Sequence, residues 1–116
     1  MILLNTRLDA KILASDLAER SVCNVKVGAV LSDNRGIFAW GWNSPGQDCR
    51  GWHAEHHCIS RANRRRLVGS FLTVAAFRKD KMISARPCEK CMPLVKKYGI
   101  KIVKYTTKDG WETEYF

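Results

Sequence analysis

The chain predicts an α/β fold in three layers, α-β-α: a mixed five-stranded sheet flanked by three helices and ending in an antiparallel hairpin. Three observations carry this. Residues 70–77 (SFLTVAAF) are nearly continuous in apolar and β-branched side chains, as in a strand covered on both faces, and belong at the centre of the sheet. A helical segment and a second β-rich run, IKIVKY at 100–105, follow them, and strand, helix, strand implies parallel pairing with a right-handed crossover. Finally, K-D-G at 108–110 is a tight-turn signal followed at once by a strand-like run, so the last pair is antiparallel.

The remaining elements follow in chain order. Residues 7–20 place Leu8, Ile12, Leu13 and Leu17 at helical intervals after Asn5 or Thr6 as the cap. VKVGAVL at 25–31 and GIFAWGW at 36–42 are β-rich and separated by SDNR, which is turn chemistry; they pair as a hairpin. Residues 43–52 carry Pro and Gly without periodicity and read as a loop delivering His53 to a helix that runs to about Arg66. The polar stretch 78–86 reads as a loop, after which Pro87 and Cys88 open a helix that Gly99 closes. Pro93 removes a helical hydrogen bond unless it lies in a first turn, so that helix either starts late or bends.

At 116 residues the chain reads as one domain, 1–116, with room for a single hydrophobic core. Its formal charge of +9 implies a partner carrying phosphates, whether nucleotide or nucleic acid. Arg61, Arg64, Arg65 and Arg66 read either as a solvated helix end, where cations suit the dipole, or, beside Trp40, Trp42 or Trp52, as a single-strand track with stacking platforms. Arg35, Arg50, Lys79 and Arg86 are candidate phosphate contacts from loop position alone. The opening apolar run is short and is interrupted by Arg7, Asp9 and Lys11, which argues against a signal peptide, and no stretch is apolar enough to span a membrane. Five cysteines, an odd number without framework spacing, fit a reducing cytoplasm.

The chemistry concentrates in two strings, H53-A-E55 and P87-C88-E-K-C91, which satisfy the H-x-E … P-C-x-x-C signature of zinc-dependent nucleobase deaminases. Cysteines three apart at a helix start share one face, so both sulfurs can reach one ion at about 2.3 Å, and the helix N-terminus favours their thiolates. His53, Cys88 and Cys91 as ligands leave a fourth tetrahedral position open to water. Glu55, two residues past His53, can stand beside that water and move protons without binding the metal. Both helices follow strands, so their N-termini can meet at one sheet edge, where α/β folds bind ligands. The alternatives are a closed structural site completed by Cys49 and a C-x-x-C redox pair; neither needs Glu55. His57, one turn after His53, could replace it as ligand, or it is a structural or solvent-facing histidine; the sequence assigns His56 no role.

Around these motifs the chain resembles the cytidine and deoxycytidylate deaminase superfamily over almost its whole length. S21–L31 resembles the family's first strand, G41-W-N-S-P-G46 its G-Y-N-G-P type of loop, and Y-G-I-K-I-V-K-Y the strand after the second zinc helix. The resemblance implies a cytidine-deaminase-like fold, Zn²⁺ on His53, Cys88 and Cys91, and Glu55 as proton shuttle. It further implies that Asn43 contacts the substrate's sugar or base edge and that the Ala54 backbone N–H meets the pyrimidine carbonyl. Asn43 also reads as a plain turn residue, since N-S-P-G is turn chemistry whatever it binds. H56-H57-C58-I59 departs from the family's usual run after H-A-E, and the terminal hairpin resembles cytidine deaminases more than their deoxycytidylate relatives.

The function expected is therefore hydrolytic conversion of cytosine to uracil in a free pyrimidine nucleoside or nucleotide such as cytidine or deoxycytidylate, by a chain that assembles as a homo-oligomer. Deamination of cytosine or adenine in single-stranded DNA or RNA is the alternative that charge and tryptophans favour. A zinc-stabilised, non-catalytic nucleic-acid-binding module is the third.

Overall fold

The computed structural model describes residues 9–44, 53–87 and 91–116, without the side chain of His56. Helix α1 (Ala10–Ala18) starts where Asp9, in extended conformation, accepts a hydrogen bond from the Lys11 N–H at 2.8 Å. An aspartate there satisfies one of the amides that a helix start leaves unpaired. Asn5 and Thr6, expected as the cap, lie outside the described residues. The buried face of α1 is Ala14, Leu17 and Ala18, with Ala10 and Leu13 packed beside them, and Ile12 is exposed instead of joining that face.

Strands β1 (Val25–Asp33) and β2 (Gly36–Trp42) form the expected antiparallel hairpin, with an irregularity between Leu31 and Ser32. Two helices follow where one was expected. Helix α2 (Ala54–Arg61) ends at Ala62, which is extended, and Asn63 then caps a short α3 (Arg64–Leu67) by accepting from the Arg65 N–H at 2.9 Å. Asparagine is among the strongest N-caps, and its preference stops a helix that periodicity alone carries to Arg66.

Strand β3 (Phe71–Arg78) is buried from Leu72 to Ala76 and occupies the centre, antiparallel to β1 along its length. The polar stretch after it holds a sixth strand, β4 (Lys81–Ile83), which folds back on β3. Lys79 and Asp80 form its two-residue turn with φ of 51° and 63°. Such turns normally announce themselves with Asn-Gly or Asp-Gly, so Lys-Asp hid both the turn and the strand.

Helix α4 (Met92–Lys97) has Pro93 in its first turn, where proline loses no helical hydrogen bond. Strand β5 (Ile102–Thr107) pairs parallel with β3, and β6 (Gly110–Tyr115) returns antiparallel to β5. The sheet order is β2-β1-β3-β5-β6, with β4 on β3. The architecture is thus the expected three-layer α/β fold, with six strands in place of five and, among the described residues, four helical segments in place of three.

Helix α1 covers one face through Val30 and Ala75, and α2, α3 and α4 cover the other through Leu31, Leu72, Val74 and Val103. Gly28 sets how close α1 comes: a Cβ there would lie 2.1 Å from the Ala14 carbonyl oxygen and 2.7 Å from the Ala18 nitrogen. Arg66 ties α3 to the end of β1. Its Nε and Nη2 donate to the two Asp33 carboxylate oxygens at 2.8 and 2.7 Å, and its guanidinium lies over the Phe38 ring at 4.4 Å.

The terminal hairpin grips the segment leading to Pro87. Thr106 Oγ1 donates to the Ile83 carbonyl at 2.8 Å and accepts from the Ala76 N–H at 3.0 Å, while the Thr106 carbonyl accepts from the Ala85 N–H at 2.9 Å. Arg86 then donates to both carboxylate oxygens of Glu114 on β6, at 2.7 and 3.2 Å.

Gly28→Ala is expected to push α1 off the sheet and cost about 1–3 kcal/mol, read as a lower urea midpoint at unchanged m-value. The Arg66 hydrogen bonds lower the Asp33 carboxyl from 3.8 to about 2. Because the folded value lies below the unfolded one, the ion pair stabilises the fold above pH 3.8, and its contribution fades as the pH falls towards about 2. Asp33→Asn should therefore lower the urea midpoint at pH 6, and the gap from wild type should close across that window.

Candidate active site

His53 and Cys91 stand at the N-termini of α2 and α4, two of the helices on the same face of the sheet. His53 is the N-cap of α2, extended at φ −79° and ψ 147°, and its carbonyl accepts the first helical bond from the His57 N–H at 3.0 Å. Its side chain does not cap the helix and turns to Cys91 instead, Nδ1 to Sγ at 3.4 Å. Cys91 is buried at the start of α4, its carbonyl accepting from the Leu94 and Val95 N–H groups at 3.0 and 3.1 Å.

Helix α2 reaches this position because it lies close on β2. A Cβ on Gly41 would stand 2.8 Å from the Cys58 nitrogen and 2.9 Å from the His57 Cβ. Ala54 and Cys58, one turn apart, are fully buried against the sheet. Burial also pushes the Cys58 thiol pKa up, which makes it an inert core residue.

Glu55 lies in the first turn of α2 and is only 6% exposed. Its carboxylate, His53 and Cys91 offer donor atoms that all lie within 4.8 Å of one another. Desolvation raises the Glu55 carboxyl from 4.5 to about 7, against the opposing effect of its own backbone N–H. A carboxyl so placed can take up or release a proton near neutral pH.

The donor set suits zinc. A nitrogen and a sulfur on a tetrahedral zinc, at about 2.0–2.1 and 2.3 Å from the metal, stand about 3.6 Å apart, close to the 3.4 Å between His53 and Cys91. A bound cation would also favour the Glu55 carboxylate that burial disfavours. Cys88, the third ligand expected from the sequence, lies outside the described residues, as do Cys49, Arg50 and Trp52.

Asn43 is turned to the hairpin. Its Oδ1 accepts from the Val27 N–H at 2.9 Å, its Nδ2 donates to the Val25 carbonyl at 2.7 Å, and its own N–H donates to the Val27 carbonyl at 3.1 Å. These bonds fix the exit of β2 against the start of β1 and engage one of the two amide hydrogens. His57 faces away from His53: its Nδ1 is 3.0 Å from the Trp42 carbonyl oxygen and its Nε2 3.5 Å from Arg61 Nη1. The Trp42 N–H also donates to Nδ1, at 3.2 Å, so the same ring nitrogen faces both backbone groups of Trp42, and which of them it engages depends on the tautomer. His57 is thereby a cap on the β2 edge strand.

Arg86, a candidate phosphate contact by loop position, is instead engaged by Glu114, and the Arg86–Glu114 pair immediately precedes the Pro87–Cys88 string. The partners are 28 residues apart and carry no local signal, so sequence reading had no means of joining them.

A family model described as the cytidine and deoxycytidylate deaminase zinc-binding region matches residues 6–107. No curated protein matches the chain. Among solved structures, the cytidine deaminase of Burkholderia pseudomallei is similar, with a TM-score of 0.69 at 20% identity over 91% of this chain and 89% of that one. The apo dCMP deaminase of cyanophage S-TIM5 gives 0.64 at 23% identity, over 83% and 78% of the two chains. The cytidine deaminase of Mycobacterium leprae gives 0.59 at 22% identity, over 97% and 94%. At these identities the structures establish the shared fold, and the family model covers nearly the whole sequence. A zinc-type donor pair with a buried acid between its helices, on this fold, completes the assignment: the chain belongs to the cytidine and deoxycytidylate deaminase family, within its zinc-binding region.

Proposed function

We propose that the chain hydrolytically deaminates a cytosine base in a free pyrimidine nucleoside or nucleotide. The observation that carries this is Glu55, an acid buried within 4.8 Å of a histidine and a cysteine donor. A structural metal site has no use for a desolvated carboxyl beside its ligands; an enzyme that must move protons does. The solved neighbours act on cytidine or dCMP by their names, which supports a small pyrimidine substrate.

His53, Cys91 and, from the sequence signature, Cys88 would hold Zn²⁺. Zinc, when bound, supplies a water acidified to near neutrality. The chain's own residues do the rest. Glu55 accepts the proton that water gives up and delivers it to ring N3 as oxygen adds at C4. It then takes the proton of the new C4 hydroxyl and passes it to the exocyclic nitrogen, so that the C4–N bond breaks as the C4 carbonyl forms, ammonia departs and uracil remains. Ala54 is the first residue of α2, and its N–H has no acceptor within the helix, which suits it to meet the pyrimidine carbonyl. Asn43, locked to β1, can offer its second amide hydrogen to the sugar or base edge.

Glu55→Gln is expected to retain stoichiometric zinc while the rate of ammonia release from cytidine or deoxycytidylate falls at least about a hundredfold. A zinc-loaded variant that works at the wild-type rate would refute the role. Parallel assays with adenosine and a cytosine-containing oligonucleotide read the base and polymer alternatives directly.

Glu114→Ala releases Arg86 from β6 just before the cysteine string. Zinc affinity, measured by chelator competition, is expected to weaken, because the segment leading into the cysteine string loses one of its ties to β6. The rate at saturating zinc should stay near wild type.

A further inference from the structure

A cluster of basic residues lies at the C-terminal ends of α2 and α4, away from the helix starts that carry His53 and Cys91. Helices α2 and α4 present their N-termini to His53 and Cys91, so their C-termini, with Arg61 and with Lys96 and Lys97, point the other way. Two basic segments meet there. The Gly69 N–H donates to the Gly99 carbonyl at 2.7 Å, the Lys101 N–H to the Ser70 carbonyl at 2.9 Å, and Arg64 Nη1 to the Tyr98 hydroxyl at 3.1 Å. Arg61, Arg64 and Arg65 from one segment and Lys96, Lys97 and Lys101 from the other are all exposed. Neither 60–70 nor 94–104 contains an Asp or Glu. The adjoining β1–β2 turn adds exposed Arg35, and the acid there, Asp33, is already held by Arg66. Asp33, Arg35, Asn63, Arg65 and Arg66 line an open cleft of about 590 Å³.

Aromatic rings are interleaved with these cations. Arg61 lies over Trp40 at 5.7 Å, and Arg64 and Lys97 lie over Tyr98 at 5.0 and 5.6 Å. Trp40 and Phe116 are 41% and 43% exposed. Stacking holds a guanidinium plane in place while leaving edge N–H donors for phosphate oxygens, and exposed rings give sequence-tolerant platforms for bases.

We propose that this pole binds single-stranded nucleic acid, phosphates on the arginines and lysines and bases against the exposed rings, at a place separate from the reacting site. A solvated helix end accounts for cations in the last turns of α2 and α4. It does not account for Arg35 and Lys101, which come from a turn and a strand approach and still converge on one acid-poor surface. Arginine beside aromatic rings favours a strand with bases over an anionic lipid face, which would need only charge and inserted apolar side chains.

The test is fluorescence anisotropy of a labelled 20-mer of thymidine, which has no cytosine for the reacting site, titrated with the wild-type protein at several salt concentrations. Binding that weakens with salt is expected. In Arg65→Ala with Lys97→Ala, affinity should fall at least about tenfold at 0.1 M salt, and the log–log salt slope should drop by about 1.4, or 0.7 for each phosphate contact on a single strand. Lys81→Ala with Lys108→Ala removes the same charge from strand β4 and the terminal turn and should bind as wild type does. Absence of binding, equal losses in both double variants, or binding confined to phosphatidylserine vesicles would overturn the proposal. None of these readouts depends on deamination, so the proposed function stands or falls separately.

Discussion

The approach of His53 to Cys91, 3.4 Å between donors that lie 38 residues apart in the chain, is the constraint on which the rest of the structure depends. It requires two helices to begin at one end of one sheet. The parallel pairing of β3 with β5 provides that, because a right-handed crossover puts α4 on the face that α2 already covers. It also requires each helix to begin at the right residue. His53 serves as cap so that its ring is thrown forward of α2, and Pro93 in the first turn of α4 starts that helix just past Cys91. Small residues complete the fit: Gly41 lets α2 settle on β2, and Gly28 does the same for α1 on the opposite face.

Burial then gives this meeting point its chemistry. A carboxyl left in water would ionise near its ordinary value and lose the ability to hold a proton at neutral pH. Enclosing Glu55 beneath α2 raises it to about 7. That raised value opposes folding in the ionised form, and a cation bound by the neighbouring donors relieves the conflict. Metal site and buried acid are therefore complementary: each makes the other less costly.

Much of this was legible in the sequence because the signals were local. The His-x-Glu and Pro-Cys-x-x-Cys strings, the continuous apolar run of β3, the hairpin turns at 32–35 and 108–110 and the parallel crossover all announce themselves within a few residues. The misses share a cause. The β3–β4 turn uses Lys79 and Asp80 where the usual signal contains glycine, and the break after Arg61 depends on one asparagine within an otherwise helical pattern. Arg86 with Glu114, Asp33 with Arg66, and His57 against the Trp42 backbone join residues 15 to 33 positions apart, and nothing in either partner's neighbourhood names the other. Ile12 looked like core by spacing, but the closeness that Gly28 permits favours the small Ala14 and Ala18 on that face.

The same helix orientation that assembles the donors also separates the charge. Helix N-termini favour thiolates and carboxylates, and C-termini favour cations, so two helices aimed at one point leave a basic pole behind them. From His53 to Arg61 along α2 is about 12 Å at 1.5 Å per residue, and the arginines of α3 follow further on. The Debye length at 0.1 M salt is about 10 Å. Salt at that spacing weakens the pull of the arginines further along α2 and α3 on a single charge near His53. A polymer is different, because it can lie across the pole itself with several phosphates in contact at once. The net charge of +9 is therefore weak evidence about what reacts in the site, and its position is stronger evidence about what rests on the far end of the molecule.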